Sequence, residues 1–374
     1  MKPANLYGTT PQGGNVNSPS ECGPLGCGVV FKLDPSRKET VLYNFCSQPN
    51  CTDGAVPFAG VIRDEAGNLY GTTWQGGSHD SGVVFKLDPS GKETVLYNFC
   101  SQPTCPDGSE PYAGVIRDEA GNLYGSTTYA GSGEGVVFKL DPSGEYTVLH
   151  AFPSFAFPTT DGQDPYASLV RDKEGNLYGT TVVGGSTRNG VAFKVDPSGE
   201  ETVLYTFCSQ TDCADGSNPQ GGVIRDEAGN LYGTNSSGAY RCSSDFPAGC
   251  GVVFKLDPSG KETVLYTFTG KHGAAPLGGL TLGDDGSLYG TTTQGGYRSA
   301  SYLYGYGVVF KLDPSGKETV LHAFNGTWEG RGPASEVLLM HNDSLSSTSL
   351  YGTTAGGGAR NAGVIFKITL TATE

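Results

Sequence analysis

The stretch AGVIRDEAGNLYGTTWQGGSHDSGVVFKLDPSGKETVLYNF, Ala59–Phe99, decides how the rest of the chain is read. It holds four short apolar runs, GVIRD, NLYGTT, GVVFKLD and ETVLYNF, named A, B, C and D below. All four are rich in β-branched and aromatic residues and too short for helices, and Gly, Pro, Asn and Asp bound them. A meets B through DEAGN, and C meets D through DPSG, where proline presets φ and glycine is available for a left-handed position. Both are hairpin signals. GVVF and TVLY are apolar at consecutive positions, the pattern of strands covered on both faces.

Outward from this stretch the same runs return. The tyrosine of LYG recurs at Tyr7, Tyr70, Tyr124, Tyr178, Tyr232, Tyr289 and Tyr351, and three of the steps are 54 residues. GVVFK or a near variant starts at Gly28, Gly82, Gly135, Gly190, Gly251, Gly307 and Gly363. Four antiparallel strands repeated at this period predict an all-β chain folded as a single β-propeller domain over residues 1–374, because no blade buries both faces alone. The chain starts at a B run and ends after a C run. Seven four-stranded blades follow, the first lacking its A strand and the last its D strand. Six complete blades plus a half is the other count, and a β-solenoid, whose coils are usually shorter, is the competing architecture.

Composition narrows the partners. The chain has 374 residues with 58 Gly, 20 Tyr and 17 Phe, too many core formers for disorder. A net charge of -14 repels phosphate backbones and anionic lipid, so neither nucleic acid nor a membrane surface is an expected partner. No apolar run approaches the ~20 residues that cross a bilayer, and MKPANLYGTT has no apolar core of a signal peptide. The ten cysteines form neighbouring pairs: Cys22 with Cys27, Cys46 with Cys51, Cys100 with Cys105, Cys208 with Cys213, and Cys242 with Cys250. Local pairing reads as five disulfides and an oxidising, extracellular or cell-surface location. Metal ligation is the rival, disfavoured by CxxxxC spacing with no adjacent histidine. No cofactor is expected.

The series NLYGTT, GG, GVVFKLDPSGKETVLYNF, DG, P and AGVIRDEAGNLYGTT resembles the bacterial GloVer tandem repeat of choice-of-anchor proteins, over Asn5 to Lys367. The resemblance implies propeller-like repeats and export, often with a C-terminal sorting anchor; it implies no activity. The ending KITLTATE departs from that pattern and reads as lacking the anchor.

Strand order sends the A–B and C–D turns to one end of each blade and the B–C and D–A loops to the other. RDEAGN and LDPSGKE barely vary, so the first end reads as solvated backing. The second end varies and carries every cysteine pair, which points to ligand recognition by stiffened loops, or to protease resistance. Its candidate ligand-binding residues are Trp74, Tyr129, Tyr240, Arg241, Tyr297, Arg298, Tyr302, Tyr304, Tyr306 and Trp328, joined by Phe246, Arg188 and Arg331. Flat rings stack on sugar C–H faces and Arg forks to hydroxyl or carboxylate oxygens. Asp53, Asp107, Asp161 and Asp215 open DG turns, which favours turn chemistry over a calcium ring. His150 and His322 replace a strand-D tyrosine and read as packed; His79, Asp80 and His272 are the candidates for a catalytic base, without a nucleophile or metal motif around them. No catalytic and no metal-binding residue is assigned. The leading expectation is a binding propeller for a glycan or extracellular polymer. A self-associating structural subunit and a carbohydrate-active enzyme are the alternatives.

Overall fold

The structure is a computed structural model that describes residues 5–14, 22–131, 133–154, 160–239, 242, 246, 248–299, 302–342 and 347–370. Five sheets have four strands in the order A–B–C–D, flanked along the chain by two of three strands. The first sheet holds Leu6–Thr10, Val29–Leu33 and Glu39–Asn44, which are B, C and D. The last holds Leu338–Asn342, Ser347–Thr353 and Ile365–Leu370, which are A, B and C. This is a seven-bladed β-propeller with the shortened first and last blades that the sequence implies. Backbone contacts group into two compact units, Lys2–Gly179 with Lys194–Thr202, and Thr180–Phe193 with Val203–Glu374.

The repeat motifs each have a physical job. In the C–D turn, Asp88 Oδ1 accepts from Ser90 N at 2.8 Å and Lys92 N at 3.0 Å, so the aspartate closes the turn that proline and glycine shape. In the A–B turn, Asp64 accepts from Asn68 N and Asn68 Nδ2, both at 2.8 Å, and from the Tyr70 hydroxyl at 3.1 Å. The tyrosine of LYG thus pins the turn that precedes it.

LYG needs its glycine for a different reason. Gly71 lies opposite Phe85 across the B–C ladder, and a Cβ on it would sit 2.8 Å from Phe85 Cζ. The ring folds over the glycine and is fully buried. The D-strand phenylalanine of one blade then meets the C-strand phenylalanine of the next edge-on: Phe45 and Phe85 at 5.0 Å, Phe99 and Phe138 at 5.3 Å, Phe268 and Phe310 at 5.1 Å. Such edge contacts are the favoured aromatic geometry. A B-strand threonine adds a polar clamp, as when Thr72 Oγ1 donates to Ala113 O at 2.7 Å, 41 residues on. Strands C and D slip register by a bulge between Val84 and Phe85, which sets Leu96 outside the pairing and raises local twist.

Candidate functional site

The cysteine-bearing loops are the starting point. All five neighbouring pairs are joined as the sequence implies, and no free cysteine is present. Cys46 bonds Cys51, Cys100 bonds Cys105, and Cys208 bonds Cys213, each within a D–A loop. Cys22 bonds Cys27, and Cys242 bonds Cys250, each within a B–C loop. In the three D–A loops both cysteines adopt the left-handed region, for example Cys100 at φ 57° and Cys105 at φ 53°, and Cys208 at φ 58° and Cys213 at φ 48°. The covalent ring holds a backbone shape that a lone L-residue seldom keeps. Cys250 is instead fully buried in the core beside Phe246 and Val253. The sulfurs of Cys22, Cys27, Cys46 and Cys51 lie within 4.8 Å of one another, but as two disulfides they offer no thiolate to a metal.

Inside each CSQ loop sits the DG aspartate. Asp53 Oδ2 accepts from the Tyr43 hydroxyl at 2.7 Å, Ser47 N at 2.8 Å and Ser47 Oγ at 2.9 Å. Asp107 and Asp215 repeat the pattern with Tyr97 and Ser101, and with Tyr205 and Ser209. These three carboxylates are buried and serve as the turn anchors the sequence suggests. The disulfide ring and the aspartate together fix the D–A loop, and the loop delivers a proline followed by the first residue of the next blade.

The sequence does not single out that post-proline position. In Lys2–Gly179 it is occupied by Phe58, Tyr112 and Tyr166. Phe58 stacks on Tyr112 at 4.3 Å and Tyr112 on Tyr166 at 4.0 Å. Trp74 meets Phe58 edge-on at 5.7 Å, which extends the row to four rings. Tyr129 stands half-exposed near its end, where Asp164, Glu110 and Glu134 raise its phenol after burial does. Glu134 and Asp164 share a hydrogen bond, and burial and then Asp164 push Glu134 up to about 7. The available signal was the aromatic after VP, EP and DP in three successive repeats.

In Val203–Glu374 the same repeat position carries Gln220, Leu277 and Ala334, and the last two line a cavity of about 590 Å³. Thr293, Gln294, Tyr302, Leu303 and Tyr304, from the long B–C loop of blade six, form its other wall. The loop folds back on itself: Gly295 N donates to Tyr304 O at 2.7 Å, and Gly307 N to Gly295 O at 3.1 Å. Gly305 is required there, since a Cβ would lie 2.3 Å from Gly295 O. Tyr302 stacks on Tyr306 at 4.8 Å, with ring planes 10° apart, and the Arg331 guanidinium sits 5.7 Å from the Tyr302 ring centre. Ser299 Oγ and the Tyr306 hydroxyl, 2.7 Å apart, fix the lower ring. Tyr302 is nevertheless 43% exposed and Tyr304 52%. Both face the cavity with Leu303, Thr293 and Gln294, while Gly332, Ala334 and Ala355 leave it open.

The remaining candidates fall around these two settings. Arg298 lies over the Phe246 ring at 5.5 Å, and Phe246 is 5.8 Å from Tyr304. Tyr297 and Trp328 are strongly exposed. Tyr240 and Arg241 lie outside the described residues. Of the histidines, His79 Nδ1 pairs with Ser78 Oγ at 3.0 Å and His272 with Glu318 at 3.3 Å. Asp80 accepts from Gly76 N at 3.0 Å, a turn contact. His322 packs edge-on against Phe324 at 4.8 Å, as the tyrosine it replaces does against its own phenylalanine elsewhere. No helix among the described residues is long and apolar enough to cross a membrane.

The Gloeobacter/Verrucomicrobia repeat family matches residues 2–246 and 239–374. No curated protein sequence matches the chain. Among solved structures, a fungal alcohol oxidase of the AA5 family in complex with copper is 12% identical, with 98% of this chain and 72% of that one covered and a TM-score of 0.55. The β-propeller domain of the Trilobed protease from Pyrococcus furiosus is 8% identical, covering 93% and 87%, with a TM-score of 0.47. A gluconolactonase from Xanthomonas campestris is 11% identical, covering 82% and 90%, with a TM-score of 0.42. At such identities the oxidase likeness is one of fold alone.

Proposed function

Since the chain belongs to the Gloeobacter/Verrucomicrobia repeat family, whose repeats form its blades, we propose that it is an exported binding propeller that takes a glycan segment in the cavity beside Tyr302 and Tyr304. The observation that carries this reading is Tyr302, held rigid between Tyr306 and Arg331 yet 43% exposed at the edge of an open cavity. A ring locked in place by stacking loses little entropy when a flat sugar face covers it. Leu277 and Leu303 supply apolar wall, and Thr293, Gln294 and Arg331 supply polar groups at the rim, the mixture a ligand pocket uses. The net charge of -14 disfavours polyanions, so the expected class is a neutral or amino-sugar polymer. Five disulfides support an oxidising compartment and hence export.

A glycan array probed with the wild type and with Tyr302→Ala tests the proposal. Binding to neutral or amino-sugar polymers, weakened about tenfold or more in the variant, is the expected result. No binding, or equal binding by the variant, overturns it.

A further inference from the structure

Blade three breaks the repeat at one half-buried place. Blades one, two and four follow strand D with a disulfide loop and a DG aspartate that a strand-D tyrosine hydroxyl contacts. After blade three the aspartate, Asp161, is kept, but no cysteine occurs between His150 and Gly162, and the tyrosine is His150. The ring still packs edge-on against Phe152 at 4.8 Å, so the exchange conserves packing and changes only the chemistry of the tip. Where a hydroxyl donated, an imidazole nitrogen now stands. His150 Nε2 is 3.5 Å from Asp161 Oδ2, is shielded from solvent and makes no hydrogen bond.

Glu201, the first residue of the following D strand, completes the setting. Its equivalents Glu93 and Glu262 lie near Asp53 and Asp215, so a half-buried Glu–Asp pair recurs in two other repeats. Only the histidine is new. The Glu201 and Asp161 carboxyls face each other and share a hydrogen bond. One ligand atom from each of His150, Asp161 and Glu201 lies within 4.8 Å of the other two.

We propose that His150, Asp161 and Glu201 form a binding site for a first-row divalent cation of the zinc type. One imidazole nitrogen and two carboxylate oxygens suit zinc and its neighbours, whereas calcium and magnesium take oxygen ligands alone. Ligand atoms around a tetrahedral zinc are about 3.4 Å apart, so the three side chains draw inward by roughly an ångström on binding. The ion neutralises the paired carboxyls and ties strand D of blade three to the D–A loop and to the next D strand. It does there what a disulfide does in the neighbouring D–A loops. This site is independent of the glycan cavity.

The test uses the whole chain, stripped with a chelator and dialysed, then titrated with zinc by calorimetry and with cobalt by visible absorption. The wild type is expected to take one equivalent, with a cobalt spectrum of nitrogen and oxygen ligands and a higher Tm in zinc. His150→Tyr restores the residue the other repeats carry, so it should fold normally and bind at least about a hundredfold more weakly. Glu201→Gln should weaken binding as well. Failure of the wild type to bind zinc overturns the proposal, as does equal uptake by His150→Tyr, or cobalt absorption of thiolate character, which would place the ion at cysteines.

Discussion

Alanine at Gly125 puts the central packing rule of the blades to a test of sign. Gly125 lies opposite Phe138 on the B–C ladder of blade three. A Cβ there would sit 2.7 Å from Phe138 Cζ, 3.0 Å from Cε1 and 3.3 Å from Val115 Cγ1. Carbon atoms prefer about 3.5–4.0 Å, and both neighbours are buried, Phe138 at 0% and Val115 at 3% exposure. Forcing a methyl into such a core costs about 1–3 kcal/mol. Against this, Gly→Ala in a strand interior gains about 0.5–1 kcal/mol through backbone entropy. Net destabilisation of about 1–2 kcal/mol is therefore expected for Gly125→Ala. Phe138→Leu removes the obstructing ring and leaves a cavity, at a cost of its own. In the double variant the methyl occupies part of that space, so the two losses should fall short of additive by about 1 kcal/mol or more. Urea unfolding midpoints for the four proteins, compared at unchanged slope, measure this cycle. A stabilised Gly125→Ala, or simple additivity, would refute the claim that the glycine of LYG exists to admit the phenylalanine of GVVF.

Further expectations concern the carboxyls. Burial, followed by the charge of Asp53 or Asp215, raises Glu93 and Glu262 to about 7 in the folded chain, against 4.5 for the ordinary glutamate. Below about pH 4.5 both states keep the proton; between there and pH 7 the unfolded chain releases it first, so stability falls as pH rises and levels off above pH 7. After discounting for solvent at these half-buried groups, each contributes about 1–2 kcal/mol, and Glu93→Gln with Glu262→Gln should flatten the decline of Tm between pH 5 and 8; an unchanged decline contradicts it. Asp64, Asp118 and Asp226 act oppositely, since their hydrogen bonds hold them below the usual carboxylate range and their contribution is lost only as pH falls below that range. Asp107→Ala strands Ser101 N, Ser101 Oγ and the Tyr97 hydroxyl together and should cost about 2–4 kcal/mol, whereas Tyr97→Phe removes one bond and should cost about 1 kcal/mol, read by the same urea midpoints.

The blades were legible because their determinants sit close in sequence. Asp64, Asn68 and Tyr70 meet within seven residues, and DPSG closes on itself, so period and turn chemistry identify strands, order and the shortened ends. The cysteine partners were readable for the same reason, since Cys100 and Cys105, or Cys208 and Cys213, are five positions apart and Cys242 and Cys250 eight. The role of the DG aspartates was also readable, because Asp before Gly anchors turns on any scaffold. The candidate sites were only half legible. Tyr302, Tyr304 and Tyr306 stand out as four tyrosines with Tyr297 in ten residues. Phe58, Tyr112 and Tyr166 do not, since each looks like the apolar start of a strand, and their stacking depends on residues 54 apart coming together. His150 read as a packed tyrosine substitute, which it is; that its tip faces Asp161 and Glu201 depends on how two successive D strands align, and a single repeat does not encode that. Arg331, which caps Tyr302, comes from the D–A loop that leads from blade six into the next blade, for the same reason.

The reading of the cavity as a recognition site is tested most directly by hydroxyl-radical footprinting of the protein with and without a polymer that it binds on the array. Tyr302, Tyr304 and Leu303 should become protected while the exposed DPSG turns at the other end of the blades keep their reactivity. Protection confined to those turns, or undiminished oxidation of Tyr302 and Tyr304 at saturating polymer, would contradict it.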